Sequence, residues 1–550
     1  MQAQAATPNQ ELRSVHRLTG AYIAVALVSL ALANVPSIFQ ALDHAGINLY
    51  LDQPFFKSYY QGLTLHGAGN VLLWTTFFIS GFLSFTTVYA LRRRLASMTL
   101  AWITFWIMVV GTALAVWAIL TNDATVMFTF YPPMKAHWAF YIGLTLVVAG
   151  TWLVTANLAL TYRQWRRENP GRPTPLAAFM SLVTFAMWTL ATFGVAVEMV
   201  FQLIPWSLGL VQDVDPLLAR TFFWFTGHPI VYFWLLPAYV SWYTMVPRQI
   251  GTSLFSPSMA RASFILFLLL STPVGFHHQY TDPGISEGWK LLHTFFTFGV
   301  FFPSLLTFFN VVATLERGGR ARGGSGLIGW IFRLPWKDPA VAAQLLAMVL
   351  FAFGGISGLV NASYNVNLVV HNTVWVVGHF HLTVGTAVTL SFMGITYWLL
   401  PYLTGKALWS RGVALAQVWA WFVGMTIFSE TLHRLGLLGM PRRTFISVAP
   451  YLPQDWFNIL LMPMVGIGGA LLFISGVLYF LNVVLTLLAS RQPARVEVPL
   501  AEDEAEVAMP ALDRWTPWLV TAIVLVFIAY APTVIQLLTQ ISPVVGKRVW

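Results

Sequence analysis

Apolar runs of about twenty residues, the length a helix needs to cross a bilayer core, recur along the whole chain, separated by short polar or Pro/Gly-containing connections. The pattern predicts an all-α, polytopic membrane bundle of about 13 transmembrane helices. The expected spans are 18–42, 62–90, 98–121, 137–160, 176–204, 221–247, 261–280, 289–315, 341–363, 371–402, 412–437, 459–488 and 515–540. Residues 1–17 then form an N-terminal arm, 18–490 a twelve-helix core, 491–514 a charged linker, and 515–550 the thirteenth helix with a tail.

Polar positions give this bundle a direction. Arg92, Arg93 and Arg94 follow the second span, Arg163, Arg166 and Arg167 the fourth, Arg317, Arg320 and Arg322 the eighth, and Arg491 and Arg495 the twelfth. Basic residues stay on the cytoplasmic side, which predicts a cytoplasmic N-terminus and an outward C-terminus. The linker, with Glu502, Asp503, Glu504 and Glu506, has the composition of a mobile solvated segment.

Composition changes the picture in two ways. With 57% hydrophobic and 9% charged residues the chain is not a soluble protein, and its net charge of +10 is dispersed over short loops, so nucleic acid is not its partner. The absence of cysteine excludes thiolate metal sites, iron–sulfur clusters and disulfides. Any metal must use His, Met or carboxylates.

Six of the twelve histidines supply that chemistry: His66, His228, His277, His278, His379 and His381 lie near the outward ends of their spans. At 1.5 Å per residue they fall in one slab in the outer third of the membrane. Imidazole suits iron and copper. In Gly378-His379-Phe380-His381 the two imidazoles are about 200° apart around a helix, so they serve two different sites, and His66 is a candidate second axial ligand for one of them. Pro273 and Gly275 allow a distorted helix end on which His277 and His278 converge with His228, giving three imidazoles and an open metal position. Tyr232 is one turn beyond His228 and is placed to deliver a proton and an electron there.

The segments YYQGLTLHG from Tyr59, ATVMFTFYPP from Ala124, TGHPIVYFWLLPAY from Thr226, STPVGFHHQ from Ser271 and HNTVWVVGHFHL from His371 resemble those of the heme–copper oxygen reductases, specifically the B-family cytochrome ba-type oxidases. The resemblance runs through essentially the whole chain. It implies four-electron reduction of O2 to water coupled to proton pumping in a bacterial plasma membrane. It also implies a low-spin heme, b-type, on His66 and His381, a high-spin heme, a-type, on His379, and one copper, CuB, on His228, His277 and His278. Tyr232 would be joined to His228, and His371, Arg442 and Arg443 would hold the heme propionates. The implied partners are a subunit II carrying CuA, cytochrome c as the indirect electron donor, and a small third subunit. Two positions depart from close relatives: Asn367 stands where they have Asp, putting a proton-loading role there in doubt, and Val377 stands where they have Pro.

Protons for chemistry near the outer face must cross from the cytoplasm through side chains and water. The sixth span offers Tyr239 and Tyr243, the eighth Ser304, Thr307 and Thr314, and the intervening region Ser256. The resemblance supports this as the single path. The carboxylate of the alternative route found in other heme–copper oxidases is replaced by Ile230, and Glu198 and Glu430 are left without a role. Two rivals remain. A nitric-oxide reductase would lack Tyr232 and add carboxylates around its second metal, and a transporter would need polar, discontinuous helices at the midplane rather than outward ligands on intact helices.

Overall fold

The computed structural model of the protein describes residues 8–50, 53–449, 460–501 and 510–539. Its elements are helical, and no strand is formed among the described residues. Among the described residues, eleven helices are long and apolar enough to cross a membrane: α1 (Pro8–His44), α2 (Tyr59–Leu91), α3 (Met98–Leu120), α4 (Trp138–Glu168), α5 (Leu176–Ser207), α8 (Glu287–Ala321), α9 (Pro339–Ala362), α10 (Trp375–Thr404), α11 (Arg411–Leu437), α12 (Leu461–Leu488) and α13 (Trp515–Thr539). Between α5 and α8 lie α6, in two segments (Pro216–Gly227 and Pro229–Thr244) that meet end to end at His228, and the shorter apolar α7 (Pro257–Leu270).

Helix starts follow local chemistry. Ser58, Ser97, Asp215, Ser256, Asp338 and Ser410 cap α2, α3, α6, α7, α9 and α11, each side chain accepting a hydrogen bond from a first-turn N–H. Close helix approach follows from glycine: a Cβ on Gly143 of α4 would lie 2.4 Å from the Gly111 carbonyl of α3. The apolar windows of α2 and α10 are 94% and 89% buried, against 33% for α12 and 28% for α13, so the two helices carrying His66, His379 and His381 run through the centre.

Three expectations change. The first helix starts at Pro8, inside the expected N-terminal arm, because nothing from Pro8 onward breaks it. The seventh span does not reach residue 280: α7 stops at Leu270, and His277 and His278 sit on a separate 3₁₀ turn, Phe276–Gln279, after the Pro273–Gly275 break. The ligand-bearing helices are also not intact. A π-helical turn follows His66 (Gly69–Trp74), another follows His381 (Thr383–Val388), and α6 is interrupted at His228. Such turns shift the hydrogen-bond register and re-aim side chains, as at many functional sites.

The described parts of the linker are fastened down. Ala407 N donates to Gln492 O, Ala494 N to Gly405 O, and Ala501 N to Thr244 O. Asp513 accepts from Thr174 N at 3.1 Å and pairs with Arg166 and the buried Arg261 at 3.7 and 3.8 Å. The acidic residues Glu502, Asp503, Glu504 and Glu506, and the tail beyond Thr539, lie outside the described residues.

Candidate heme and copper sites

Folding brings His66 of α2 opposite His381 of α10, with ring centroids 6.3 Å apart and planes 11° from parallel. Two imidazoles on opposite sides of one metal, with metal–nitrogen bonds of about 2.0–2.1 Å, have centroids about 6.3–6.5 Å apart once the ring radius is added. The spacing fits a bis-imidazole iron site. Each ring is oriented by its Nδ1, which donates to Ala33 O at 3.1 Å in His66 and to Val377 O at 2.8 Å in His381, leaving Nε2 for a metal. The surrounding cavity is walled by apolar side chains, including Val71, Phe380, Met425 and Phe428, and ends at Arg442 and Arg443.

His379 points the other way, into a second cavity with His228, His277, His278 and Tyr232. Its Nδ1 is held by Ser357 Oγ at 2.9 Å and Gly354 O at 3.1 Å, again freeing Nε2. Glycine at 358 makes the room, since a Cβ there would stand 3.1 Å from the His379 ring. Phe380 lines both cavities, so one turn of α10 is the wall between them.

Across that second cavity the ligand nitrogens of His228, His277 and His278 all lie within 4.8 Å of one another. His228 Nδ1 and His278 Nε2 are 3.3 Å apart, the separation that two bonds of about 2.0 Å at a trigonal or tetrahedral metal require. The opposite nitrogen of His228 faces the Tyr232 hydroxyl at 3.1 Å. Thr297 Oγ accepts from His277 Nδ1 at 3.0 Å, and Trp224 stacks on His278 with centroids 3.7 Å apart. The donor set is all nitrogen plus one phenol, which suits copper. No carboxylate belongs to this group among the described residues.

Both cavities end in a cationic cap. The loops 371–374 and 440–443 zip together through Val374 N to Met440 O and Arg442 N to Asn372 O, each 2.9 Å. Arg443 is forced to φ +62°, an uncommon conformation for a residue with a side chain. Burial, and then the charges of Arg443 and Arg220, push Arg442 down to about 9. Burial, and then Arg442, Arg220 and Arg443, push His371 down to about 4. Arg442 Nε, Arg443 Nη2 and His371 Nε2 are buried without hydrogen-bond partners among the described residues. The two buried, orphaned guanidinium donors, crowded by like charge, fit carboxylates such as heme propionates. The Asn367 amide donates to Asn361 O at 2.7 Å, so its oxygen accepts from His371 Nδ1 at 3.1 Å and leaves His371 Nε2 as an acceptor.

The proton-path residues divide. Tyr243 OH donates to Thr307 Oγ at 2.7 Å, and Ser304 lines the three-histidine cavity. The Tyr239 hydroxyl makes no well-formed hydrogen bond among the described residues and lies beside Ser304. Ser256 and Thr314 are occupied by the backbone: Ser256 Oγ caps α7, and Thr314 Oγ donates to Asn310 O while accepting from Phe255 N. Ser263, 2.9 Å from Thr307, was not legible in sequence. Ile230 faces an apolar cavity with Trp188, Met199 and Trp234 that reaches Gly227, beside His228. Glu430 is an exposed partner of Arg434 at 2.8 Å, whereas Glu198 is fully buried with neither carboxylate oxygen partnered among the described residues.

Comparison with known proteins agrees with this geometry. Residues 17–466 match the family model for cytochrome c and quinol oxidase polypeptide I. Cytochrome c oxidase subunit 1 of Thermus thermophilus is 45% identical over 544 residues, covering 96% of each chain. That of Synechocystis is 26% identical over 457 residues, 80% of this chain and 78% of the relative. A chain of a heme–copper terminal oxidase dimer solved by cryo-EM superposes with a TM-score of 0.89 at 40% identity, covering 95% of this chain and 92% of that one.

Proposed function

The chain belongs to the cytochrome c and quinol oxidase polypeptide I family, as the catalytic subunit of a heme–copper terminal oxidase, and from that premise we propose how its residues divide the work. It is a multi-pass plasma-membrane cytochrome c oxidase subunit that carries hemes and CuB and works within a membrane complex. When bound, the hemes and copper pass electrons and bind O2 for its reduction to water.

In this reading His66 and His381 hold a low-spin, b-type heme, His379 a high-spin, a-type heme, and His228, His277 and His278 hold CuB. One observation carries it: a single turn of α10 presents His381 to a facing imidazole and His379 to a three-histidine cluster with a tyrosine. Arg442 and Arg443 take the propionate carboxylates, and His371, whose Nε2 accepts, takes a protonated one. Tyr232 holds a proton on its hydroxyl beside His228 and gives it up at the site, and its position one turn after His228 suits the covalent link between them. The apolar cavity at Ile230 suits delivery of an apolar gas and offers no proton carrier.

The first twelve helices, through residue 490, carry the heme and copper ligands, with the N-terminus cytoplasmic and the C-terminus outside. Electrons arrive from cytochrome c through a subunit II that carries CuA, since this chain has no cysteine for such a centre; a small third subunit completes the complex. Oxygen consumption by the purified complex driven by reduced cytochrome c tests the donor. Turnover with a quinol and none with cytochrome c would overturn it.

All protons, consumed and pumped, enter along α6 and α8 through Tyr243, Thr307, Ser304 and Tyr239, with Ser256 near the inner mouth. The Tyr243–Thr307 bond supports this reading. Thr307→Val keeps the shape and deletes the hydroxyl, so turnover should slow about tenfold or more, with normal heme spectra. Oxygen uptake and proton uptake in reconstituted vesicles measure it. Unchanged values take Thr307 off the path, and the same result for Tyr243→Phe leaves the single path without support.

A further inference from the structure

The turn carrying His277 and His278 has no helix to hold it. After α7 stops at Leu270, the N–H groups of Gly275 and Phe276 are buried and need an acceptor from elsewhere in the chain. Both find the same one. His293, on α8 and fully buried, accepts at Nδ1 from Gly275 N at 3.1 Å and from Phe276 N at 3.3 Å, while its ring lies flat on Phe276 with centroids 3.8 Å apart. An imidazole that accepts at Nδ1 must carry its proton on Nε2. That proton goes to the carbonyl of Ala529, on α13, at 3.0 Å.

The same helix face also orients one ligand directly. Thr297, one turn after His293, donates to His293 O at 2.6 Å and accepts from His277 Nδ1 at 3.0 Å. From the far side, Tyr530 of α13 stacks on Phe225 of α6 and meets Phe276 and His293 edge-on, with centroids 5.3 and 5.0 Å away. Glycine is required at 275, where a Cβ would stand 2.3 Å from the Tyr530 oxygen and 2.7 Å from Trp224 O. The turn is therefore enclosed by α6, α8 and α13. Groups that orient metal ligands from outside the coordination sphere commonly set affinity as strongly as the ligands themselves.

We propose that His293 is a positioning residue for the copper centre: it clamps the Gly275–Gln279 turn so that His277 and His278 converge with His228, and the Ala529 carbonyl of α13 fixes the tautomer it needs. The thirteenth helix is thus part of the catalytic unit rather than an appendage beyond a linker. This rests on the assignment of His228, His277 and His278 as copper ligands.

The test compares the intact complex with His293→Phe, His293→Asn and His293→Gln. Phe keeps the stacked ring and removes both hydrogen bonds. Asn puts an acceptor where Nδ1 was, and Gln reaches only the Nε2 position. Copper per heme, with the copper of any CuA centre in subunit II subtracted, is measured by elemental analysis, and copper geometry by the infrared band of CO transferred from heme to copper on low-temperature photolysis. His293→Phe should retain copper about 10–100-fold more weakly and lose or shift the copper–CO band, with the bis-imidazole heme spectrum unchanged. Asn should restore copper and band towards the parent, and Gln should not. Full copper with an unshifted band in His293→Phe overturns the proposal. If the Phe chain does not assemble, Asn and Gln decide: an Asn chain rich in copper beside a Gln chain poor in it supports the clamp, and equal copper with equal bands refutes it. A parent complex without copper beyond that of CuA would instead overturn the ligand assignment.

Discussion

Tyr232→Phe is expected to cut oxygen turnover by at least about 10²-fold while both hemes and copper stay in place. The substitution preserves the ring, whose packing against Phe267 with centroids 5.4 Å apart is the main alternative reason for an aromatic residue here. What it removes is one hydroxyl, 3.1 Å from His228 Nε2 and facing the cavity that also holds His379. This is the only phenol lining that cavity among the described residues, so its proton has no obvious substitute. Spectra, metal content and oxygen consumption measured on one preparation separate the readings. Near-normal turnover with both hemes and copper present would reduce Tyr232 to packing.

His381→Leu should have an effect of similar size by a different route. The His66–His381 pair shares no ligand with the three-histidine site, and the wall between them is a single helical turn. Removing His381 should abolish the low-spin optical signal and reduce turnover to background, because electrons no longer reach the second heme. CO should still bind the reduced high-spin heme, since His379 keeps its Ser357 and Gly354 contacts. Loss of CO binding with the low-spin signal retained would reverse the two assignments.

Much of this arrangement is legible from local pattern. Twenty-residue apolar runs specify spans whatever their neighbours, and the 200° between His379 and His381 follows from helix geometry alone. The depth of six histidines survives small errors in span boundaries. What escaped has a common cause: it depends on contacts between residues far apart in sequence. The π-turns after His66 and His381 and the interruption at His228 are shifts of backbone register that side-chain periodicity does not record. His293 looks like one more polar residue in an apolar helix until Gly275 and Ala529 are brought to it. The linker's acidic residues suggest a freely solvated segment, yet the tie between Asp513 and Arg261 spans 252 positions from 261 to 513. Ser256 reads as a proton carrier by its hydroxyl, and the cap it also forms on Met259 N of α7 shows only once the helix start is placed.

The central claim is that this chain pairs a two-heme framework with copper rather than a third iron. Hemes and metals counted together on the purified complex test it most directly, with the copper of any CuA centre in subunit II subtracted. The account predicts two hemes, no iron beyond theirs, and one further copper that is lost when His278 is replaced by Ala. Iron in excess of the two hemes with no copper left over would contradict it and place a non-heme iron on His228, His277 and His278.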